Sequence, residues 1–395
     1  MGKTNNIEFY QIVLDKSLAG FKCVAAKVCM DLDVPDEYLM GVAVGSSADK
    51  SLRKRAISEA WERYLLYSSK PSRMLKRPAN YGGLKFVSTD SCVLFSRKQE
   101  AKRGFPFTSK RSRRMTYWVE AKKSQGDKQV FIPYHYLYAR KKIDLGNFID
   151  GWSTNGAASH KGEALALTNG ILELKERDSI MCSWITKRRL FSVKNNEFGS
   201  KTLSHKIRIL ENNGFRVAFF VVIDDLGIAT VISVLISKNL PYYSLGSACR
   251  GNIETAAEKA ILESIMIRNS QIELMKQTKL NKNTGLRRHI LAPAIYGKKI
   301  CSWMFKSPHI TLEKICKSHP RKEKDIVKKI QEKFDLYHFS YNKRSFNRPF
   351  SVVKCVIPMF QPLDISSEWL HDDYRRVRAF SDRKFTPNRY IHPFG

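Results

Sequence analysis

Two stretches of this chain carry the pattern Glu-x-x-Glu-Arg: Glu59/Glu62/Arg63 and Glu173/Glu176/Arg177. Residues three apart share one face of a helix, so each copy presents two carboxylates side by side. Unopposed, such a pair repels itself. Around a divalent cation it becomes favourable, and Mg2+ is a hard ion that takes oxygen ligands. Two helices aiming such pairs into one cleft would hold Mg2+ against the phosphates of a nucleotide. A third segment adds Glu263 and, five residues on, Arg268. The same motif is common on exposed helices, where Glu and Arg make weak surface pairs. On spacing alone both readings stay open.

The segments that carry these glutamates resemble one another. Residues 156–173, GAASHKGEALALTNGILE, align without gaps on residues 246–263, GSACRGNIETAAEKAILE. Both begin with Gly, place Ala third and eleventh, and end in Ile-Leu-Glu. A looser third copy, residues 42–59, shares Ala56-Ile57-x-Glu59 with Ala260-Ile261-x-Glu263. Each copy runs from a small-residue stretch into helical apolar spacing. The repeated unit is therefore a Gly/Ser/Ala-rich strand or turn followed by a glutamate-bearing helix. Such units, spaced about a hundred residues apart, do not make a solenoid but read as elements brought to a common site.

Between them, residues 129–137 and 216–223 read as strands. The longest apolar stretch, 217–237, is broken by Asp224-Asp225-Leu-Gly. Adjacent aspartates are costly in a bilayer, and the β-branched content predicts a buried hairpin in place of a membrane span. Residues 272–349 read as mainly helical and strongly basic, 96–123 as a basic loop, and the chain beyond Asp364 as a charged tail.

Composition narrows the partners. The 395 residues are 43% hydrophobic, a globular value, yet 69 Lys and Arg stand against 37 Asp and Glu, for a net charge of +32. That field favours nucleic acid, an acidic peptide, an anionic membrane or nucleotide phosphates. The runs KRSRR (110–114) and RRVR (375–378) fit phosphate contact, but a charge run is commonly a solvated face. No zinc-finger spacing, aromatic RNA-binding motif or heptad repeat accompanies them, which argues against nucleic acid. The phosphate-loop, GxGxxG and kinase patterns are also missing, so any ATP site is of another kind. Eight cysteines form no CxxC pair or Cys/His cluster, and the first residues lack a signal peptide's apolar run. Both observations lead to an expectation of reduced thiols in the cytoplasm.

At these residues the sequence resembles the YcaO family. Residues 153–159 (STNGAAS) continuing to 172–178 (LELKERD) are similar to that family's most recognisable segment. Residues 45–64, ending ISEAWERY, resemble its first motif, and 245–268 its third. Residues 131–134 (FIPY) resemble the strand before the second motif, and 351–363 (SVVKCVIPMFQPL) match more weakly. The resemblance implies an α+β, YcaO-type fold: mixed or antiparallel sheets, with three motif-bearing helices lining an ATP cleft. It implies ATP and Mg2+ as cofactors, with Glu59, Glu62, Glu173 and Glu176 as metal ligands. Asn169, Glu263 and Arg268 become candidates for nucleotide contact. Arg63 and Arg177 would touch phosphate or form buried ion pairs that fix the helices. Arg55 and Met266 depart from the family pattern, which has a small residue and Gln there.

The family activates peptide amides with ATP. In azoline-forming members a substrate Cys, Ser or Thr attacks the preceding carbonyl, the oxygen is phosphorylated, and phosphate leaves as the ring closes; other members make thioamides. The end of the chain, His392-Pro393-Phe394-Gly395, resembles the His-Pro-Phe-Pro tail of azoline formers. It favours a cyclodehydratase of ribosomally made precursor peptides and makes His392 and the Gly395 carboxylate catalytic candidates. His160 is a second acid–base candidate, with a structural histidine as the alternative. The expected organisation is an N-terminal extension (1–38), a catalytic domain (39–363) and a tail (364–395) reaching toward the active site. Expected partners are the precursor peptide, a separate leader-binding protein resembling activating enzymes, a flavin dehydrogenase if rings are oxidised, and a second copy of the chain. Rival readings are a thioamide synthase and a non-catalytic basic protein that binds a partner or RNA.

Overall fold

The structure, a computed structural model, describes residues 7–29, 39–46, 49–77, 83–92, 94–107, 116–139, 153–276, 285–341, 350–363, 371–388 and 390–394. In chain order it begins with β1 (Ile7–Ile12), β2 (Phe21–Val28), β3 (Met40–Ser46), α1 (Leu52–Ser68), β4 (Met74–Arg77), α2 (Thr89–Cys92) and α3 (Arg97–Glu100). There follow β5 (Thr116–Lys123), β6 (Lys128–Pro133), β7 (Ala157–His160), α4 (Glu163–Thr186), β8 (Leu190–Val193), α5 (Lys201–Asn212), β9 (Arg216–Ile223), β10 (Ala229–Ile236) and β11 (Tyr243–Ala248). The remainder comprises α6 (Ile253–Lys276), α7 (Gly285–Ile300), α8 (Leu312–Ser318), α9 (Glu323–Lys333), β12 (Tyr337–Ser340), β13 (Ser351–Val356) and α10 (Arg375–Ser381).

The strands build three antiparallel sheets: β1-β2-β3, β11-β10-β9-β8, and β4-β5-β12-β13-β7 with β6 added on β5. Each motif helix follows a strand from a different sheet, β3 into α1, β7 into α4 and β11 into α6, and each of those strands ends its sheet. Sheet ends are where a glycine-rich strand can let a helix approach closely. A Cβ on Gly41 would stand 2.2 Å from the Ala56 carbonyl oxygen and 2.3 Å from the Ala60 nitrogen. One on Gly246 would stand 2.3 Å from Ala260 O and 2.5 Å from Ser264 N. Backbone contacts that tight leave room for hydrogen alone, and they set the height of Glu59 and Glu263 above their strands.

The longest apolar stretch forms the hairpin its sequence indicates, with β9 and β10 paired from Ala229↔Ile223 to Ile236↔Arg216. The basic region is helical through α7, α8 and α9, then closes with the strand β12. Residues 116–123, placed within a loop by sequence, form β5 instead; the β-favouring run Tyr117-Trp118-Val119 heads a strand that pairs with β4, β6 and β12. Residues 7–28, set apart as an extension, supply β1 and β2 and thereby complete the sheet of β3.

Helix α4 is the spine. Its first half (Ile171, Leu172, Leu174) packs with Val353 and Cys355 of β13 and Ile326 and Ile330 of α9. Its second half (Ile180, Met181, Trp184) packs with Phe220, Ile232 and Leu245 of the second sheet. Burial on both sides fixes its rotation, and so fixes where Glu173 and Glu176 point. All eight cysteines are free thiols. Among the described residues, no helix is long and apolar enough to cross a membrane.

Candidate functional site

The three motif helices face one cleft of about 850 Å³. From α1 it takes Glu59, Glu62 and Arg63, from α4 Asn169, Glu173, Glu176 and Arg177, and from α6 Lys259, Glu263 and Met266. Ser159 and His160 of β7 and Ser247 of β11 complete the walls. Five carboxylates therefore meet seven basic side chains, the latter including Lys54, Arg55, Lys161 and Arg250.

The acidic groups are held by matched contacts. Glu59 Oε2 accepts the Val42 N–H at 3.0 Å, and its Oε1 receives Arg63 Nη2 at 3.2 Å. Glu263 Oε2 accepts the Ser247 N–H at 2.5 Å, while the Ser247 hydroxyl donates to Glu176 Oε1 at 2.7 Å. One serine thus ties α4 to α6. Arg177 Nη2 lies 3.8 Å from Glu173 Oε1 and 3.9 Å from Glu263 Oε1, a cation shared between the same two helices. Arg63 and Arg177 accordingly serve as ion-pair partners of the glutamates. Whatever phosphate contact they also make would come from a shared guanidinium.

Crowding shows in the acid strengths. Burial, reinforced by Glu173 and Glu59 and opposed by Arg63 and Lys354, pushes the Glu62 carboxyl up to about 8. Burial also raises Glu173, against the pull of Arg177. Glu263 rises through burial and then repulsion from Glu176. Carboxyls in this state retain protons that a divalent cation would displace. Among the described residues, no three carboxylate, imidazole or thiol groups stand together as a ready-made metal cage. Mg2+ keeps water and takes phosphate oxygens beside one or two carboxylates. The donor set, oxygen without sulfur, suits the ion, and the basic rim suits a triphosphate.

Several residues that matter here escaped the sequence reading. Lys259 stands one helical turn before Glu263 with its side chain exposed at the cleft, where partial desolvation, followed by the nearby Arg250, lowers its ammonium to about 7. Lys354 of β13 is 1% exposed, donates to the Ser153 carbonyl at 2.6 Å, and is lowered by burial while Glu173 and Glu62 hold its charge. The signal for Lys259 was its i, i+4 spacing from Glu263. For Lys354 it was a lone lysine inside an apolar strand.

Two candidates are placed elsewhere. Arg268, expected at the nucleotide, is 3% exposed, donates to Pro241 O at 2.6 Å and lies 4.6 Å from the centre of the Phe215 ring. It sits five residues beyond Glu263, on another face of α6, and secures the β10–β11 turn. His392, expected at the reacting centre, is buried with its ring 4.2 Å from that of His289, whose Nε2 pairs with the Phe394 carbonyl. Trp184 Nε1 donates to Tyr390 O. Trp184 lies about 16 Å along α4 from Glu173 at the usual helical rise. The segment 390–394 therefore docks on the far end of α4. Gly395 lies outside the described residues, as does the KRSRR run. Arg376, from the RRVR run read as a solvated face, is 3% exposed. Of the two departures from pattern, Arg55 bonds Val44 O at 2.9 Å and Asp49 at 2.7 Å, pinning the rim, while Met266 lines the cleft.

Against known proteins, residues 45–361 match the family described as YcaO cyclodehydratase, ATP- and Mg2+-binding. No curated protein matches the chain. Among solved structures, a heterocyclase in complex with substrate and cofactor superposes with a TM-score of 0.75 at 16% identity. That alignment covers 98% of this chain and 55% of the heterocyclase, so the chain spans little more than half that protein's length. YcaO from Methanopyrus kandleri bound with AMPPCP and Mg2+ gives a TM-score of 0.61 at 14% identity, covering 98% of this chain and 90% of that one. The E. coli microcin synthetase McbBCD complex with pro-MccB17 bound gives 0.61 at 16%, covering 89% and 88%. At such identities the likeness concerns the fold.

Proposed function

We propose that this chain, which belongs to the YcaO family, is an ATP- and Mg2+-dependent enzyme that activates backbone amides of a precursor peptide and closes Cys, Ser or Thr side chains onto them as azoline rings. The observation that carries this reading is the single cleft in which three matched strand–helix units assemble five carboxylates inside a basic rim. Bound there, ATP would supply the phosphoryl group that turns an amide oxygen into a leaving group, and Mg2+ would offset phosphate charge.

The chain's own part is positioning. Glu59, Glu62, Glu173 and Glu176 hold the metal; Glu59 enters preset by Val42 N–H and Glu176 by Ser247 Oγ. Asn169 and Glu263 meet the nucleotide, while Lys259 and Arg250 neutralise phosphate. His160, at the end of β7 in the cleft wall, is placed to exchange a proton with the peptide. The tail, with His392, acts through α4 by fixing its far end. A separate leader-binding protein and a second copy of the chain complete the working assembly.

Purified protein should hydrolyse ATP only with Mg2+ present, and a precursor peptide treated with it should lose one water per ring. Oxygen-to-sulfur exchange in the product would replace this reading with thioamide synthesis; absence of nucleotide binding would replace it with a non-catalytic scaffold.

Proton bookkeeping separates the two halves of the cleft. Metal binding must ionise Glu62, held near 8, so Mg2+ added alone at pH 7 should release protons. Lys259, held near 7, must charge to pair with phosphate, so metal-free AMPPCP should take protons up. Calorimetry in buffers of different ionisation enthalpy reads both signs. Like signs for the two ligands would contradict the assignment.

A further inference from the structure

Strand β8 pairs with β9 only from Leu190↔Val222 to Val193↔Phe219. β9 starts earlier, at Arg216, so Arg216, Val217 and Ala218 run past the end of β8. Their other side is occupied by Ile236, Leu235 and Val234 of β10. On the open side, Asn195 Nδ2 bonds the Val217 carbonyl at 3.1 Å, a side chain standing where a strand would stand. The exposed step opens into a groove of about 540 Å³ outside the catalytic cleft. Ala218, Phe220 and Phe305 give it an apolar floor and wall. Phe305 is 36% exposed, meets Phe220 edge-on at 5.2 Å, and carries the Arg216 guanidinium 5.5 Å from its ring centre.

The groove's charge has one sign. Lys194 and Arg216 line it, and among the described residues no carboxylate does. Glu197, the nearest acid in sequence, is turned to His309 Nε2 at 3.0 Å and the Leu312 N–H at 2.8 Å. Phe220 is in register, through Ile232, with Ser247 of the cleft. Two strand spacings, about 10 Å, separate these residues across the sheet, along a line covered by α4.

We infer that this groove receives an extended segment of the peptide substrate that alternates acidic and apolar residues, laid along the groove past Arg216 and Phe305. The inference rests on the reading of the protein as a peptide-modifying enzyme. Arg216 and Ala218 turn their peptide groups to β10 and Asn195 already holds the Val217 carbonyl, so recognition is by side chains: Phe305 takes the apolar ones, and Arg216 and Lys194 pair with the acidic ones.

The test is fluorescence anisotropy with a labelled decapeptide alternating Asp with Val and Phe, and its Lys counterpart. The acidic peptide should bind at least tenfold more tightly. Arg216→Glu and Lys194→Glu, both at exposed positions, should each weaken it at least tenfold. Lys324→Glu on α9, the same charge change outside the groove, should leave binding unaltered and so exclude general attraction to a basic protein. Equal weakening by all three variants, indifference to Arg216→Glu, no binding of the acidic peptide, or equally sensitive capture of poly(U) RNA would each overturn the proposal. AMPPCP binding with Mg2+, measured on every variant, should be unchanged. Its absence from the unaltered protein would count against the enzymatic reading, whereas its persistence without peptide binding would count against the groove alone.

Discussion

Glu62→Gln should reduce Mg2+-dependent ATP turnover by at least about 100-fold, the upper end of what even outer partners of metal ligands cost. It should do so without weakening the ligand-free fold. Glu62 is enclosed, and Glu173 and Glu59 add repulsion to the cost of burying its charge. A carboxyl held near 8 in the folded chain, against an ordinary value near 4.5 when unfolded, makes the native state bind more protons than the unfolded one between those limits. Stability contributed by this group is therefore lost as pH rises from about 4.5 toward 8. Gln imitates the protonated form at every pH. The melting temperature of the variant should consequently fall less steeply than that of the unaltered protein between pH 5 and 8, and stand above it at pH 9. Saturating Mg2+ with AMPPCP should raise the unaltered protein's melting temperature and leave the variant's nearly unmoved. Parallel loss of stability and turnover at all pH values would mean that Glu62 supports the fold instead of the metal.

That Glu62 lines a cleft with the other motif glutamates was legible because its evidence is local. Glu-x-x-Glu-Arg fits within two helical turns, and small-residue strands precede it in repeated order. The looser match of α1 to α6 also holds in space, since Ala56, Glu59 and Ala60 contact Gly41 as Ala260, Glu263 and Ser264 contact Gly246. The strands are offset by one: Gly41, and not Val42, occupies the place of Gly246, because the loops between strand and helix differ in length by one residue. What escaped the sequence is long-range. Lys354 reaches the glutamates across some 180 residues of chain, and nothing near it announces that its strand ends beneath α4. The tail was misplaced for a related reason. A short C-terminal motif specifies what it resembles but not which end of α4 it meets, and Trp184, His289 and Phe394 settle that by packing. The charge run at 375–378 misled in the opposite direction. Composition treats its arginines alike, while the fold buries Arg376 and leaves Arg378 exposed.

Arg376→Met should cost about 3–5 kcal/mol of stability in urea denaturation, the usual result of removing one partner from a buried ionic cluster. The cluster lies on the side of α4 away from the cleft. Asp178 and Lys175 are both fully buried, 2.9 Å apart, with Asp224 2.6 Å from the same lysine. Arg376, from α10, grips Asp178 at 2.7 Å and Asp225 at 2.8 Å. Methionine would fill the volume between the rings of Phe334 and Phe360, so packing is largely kept and the loss reports the charge. Asp178→Asn should cost a similar amount, and the double variant less than the sum, because each single change leaves the other partner uncompensated in a dry site. Burial alone would raise Asp178, yet Arg376 and Lys175 overcome it and hold the carboxyl down to about 2. Its contribution is therefore complete above about pH 4 and disappears as pH falls through 2. The Asp178→Asn variant should lack that acid-side slope. Since Glu173 and Glu176 alternate with Lys175 and Asp178 along α4, a helix released from α10 can rotate its cleft face as well. Arg376→Met should then weaken binding of AMPPCP with Mg2+ in protein that is still fully folded, a change visible by calorimetry well below the urea midpoint. Unimpaired binding with the full loss of stability would confine the cluster to anchoring the tail.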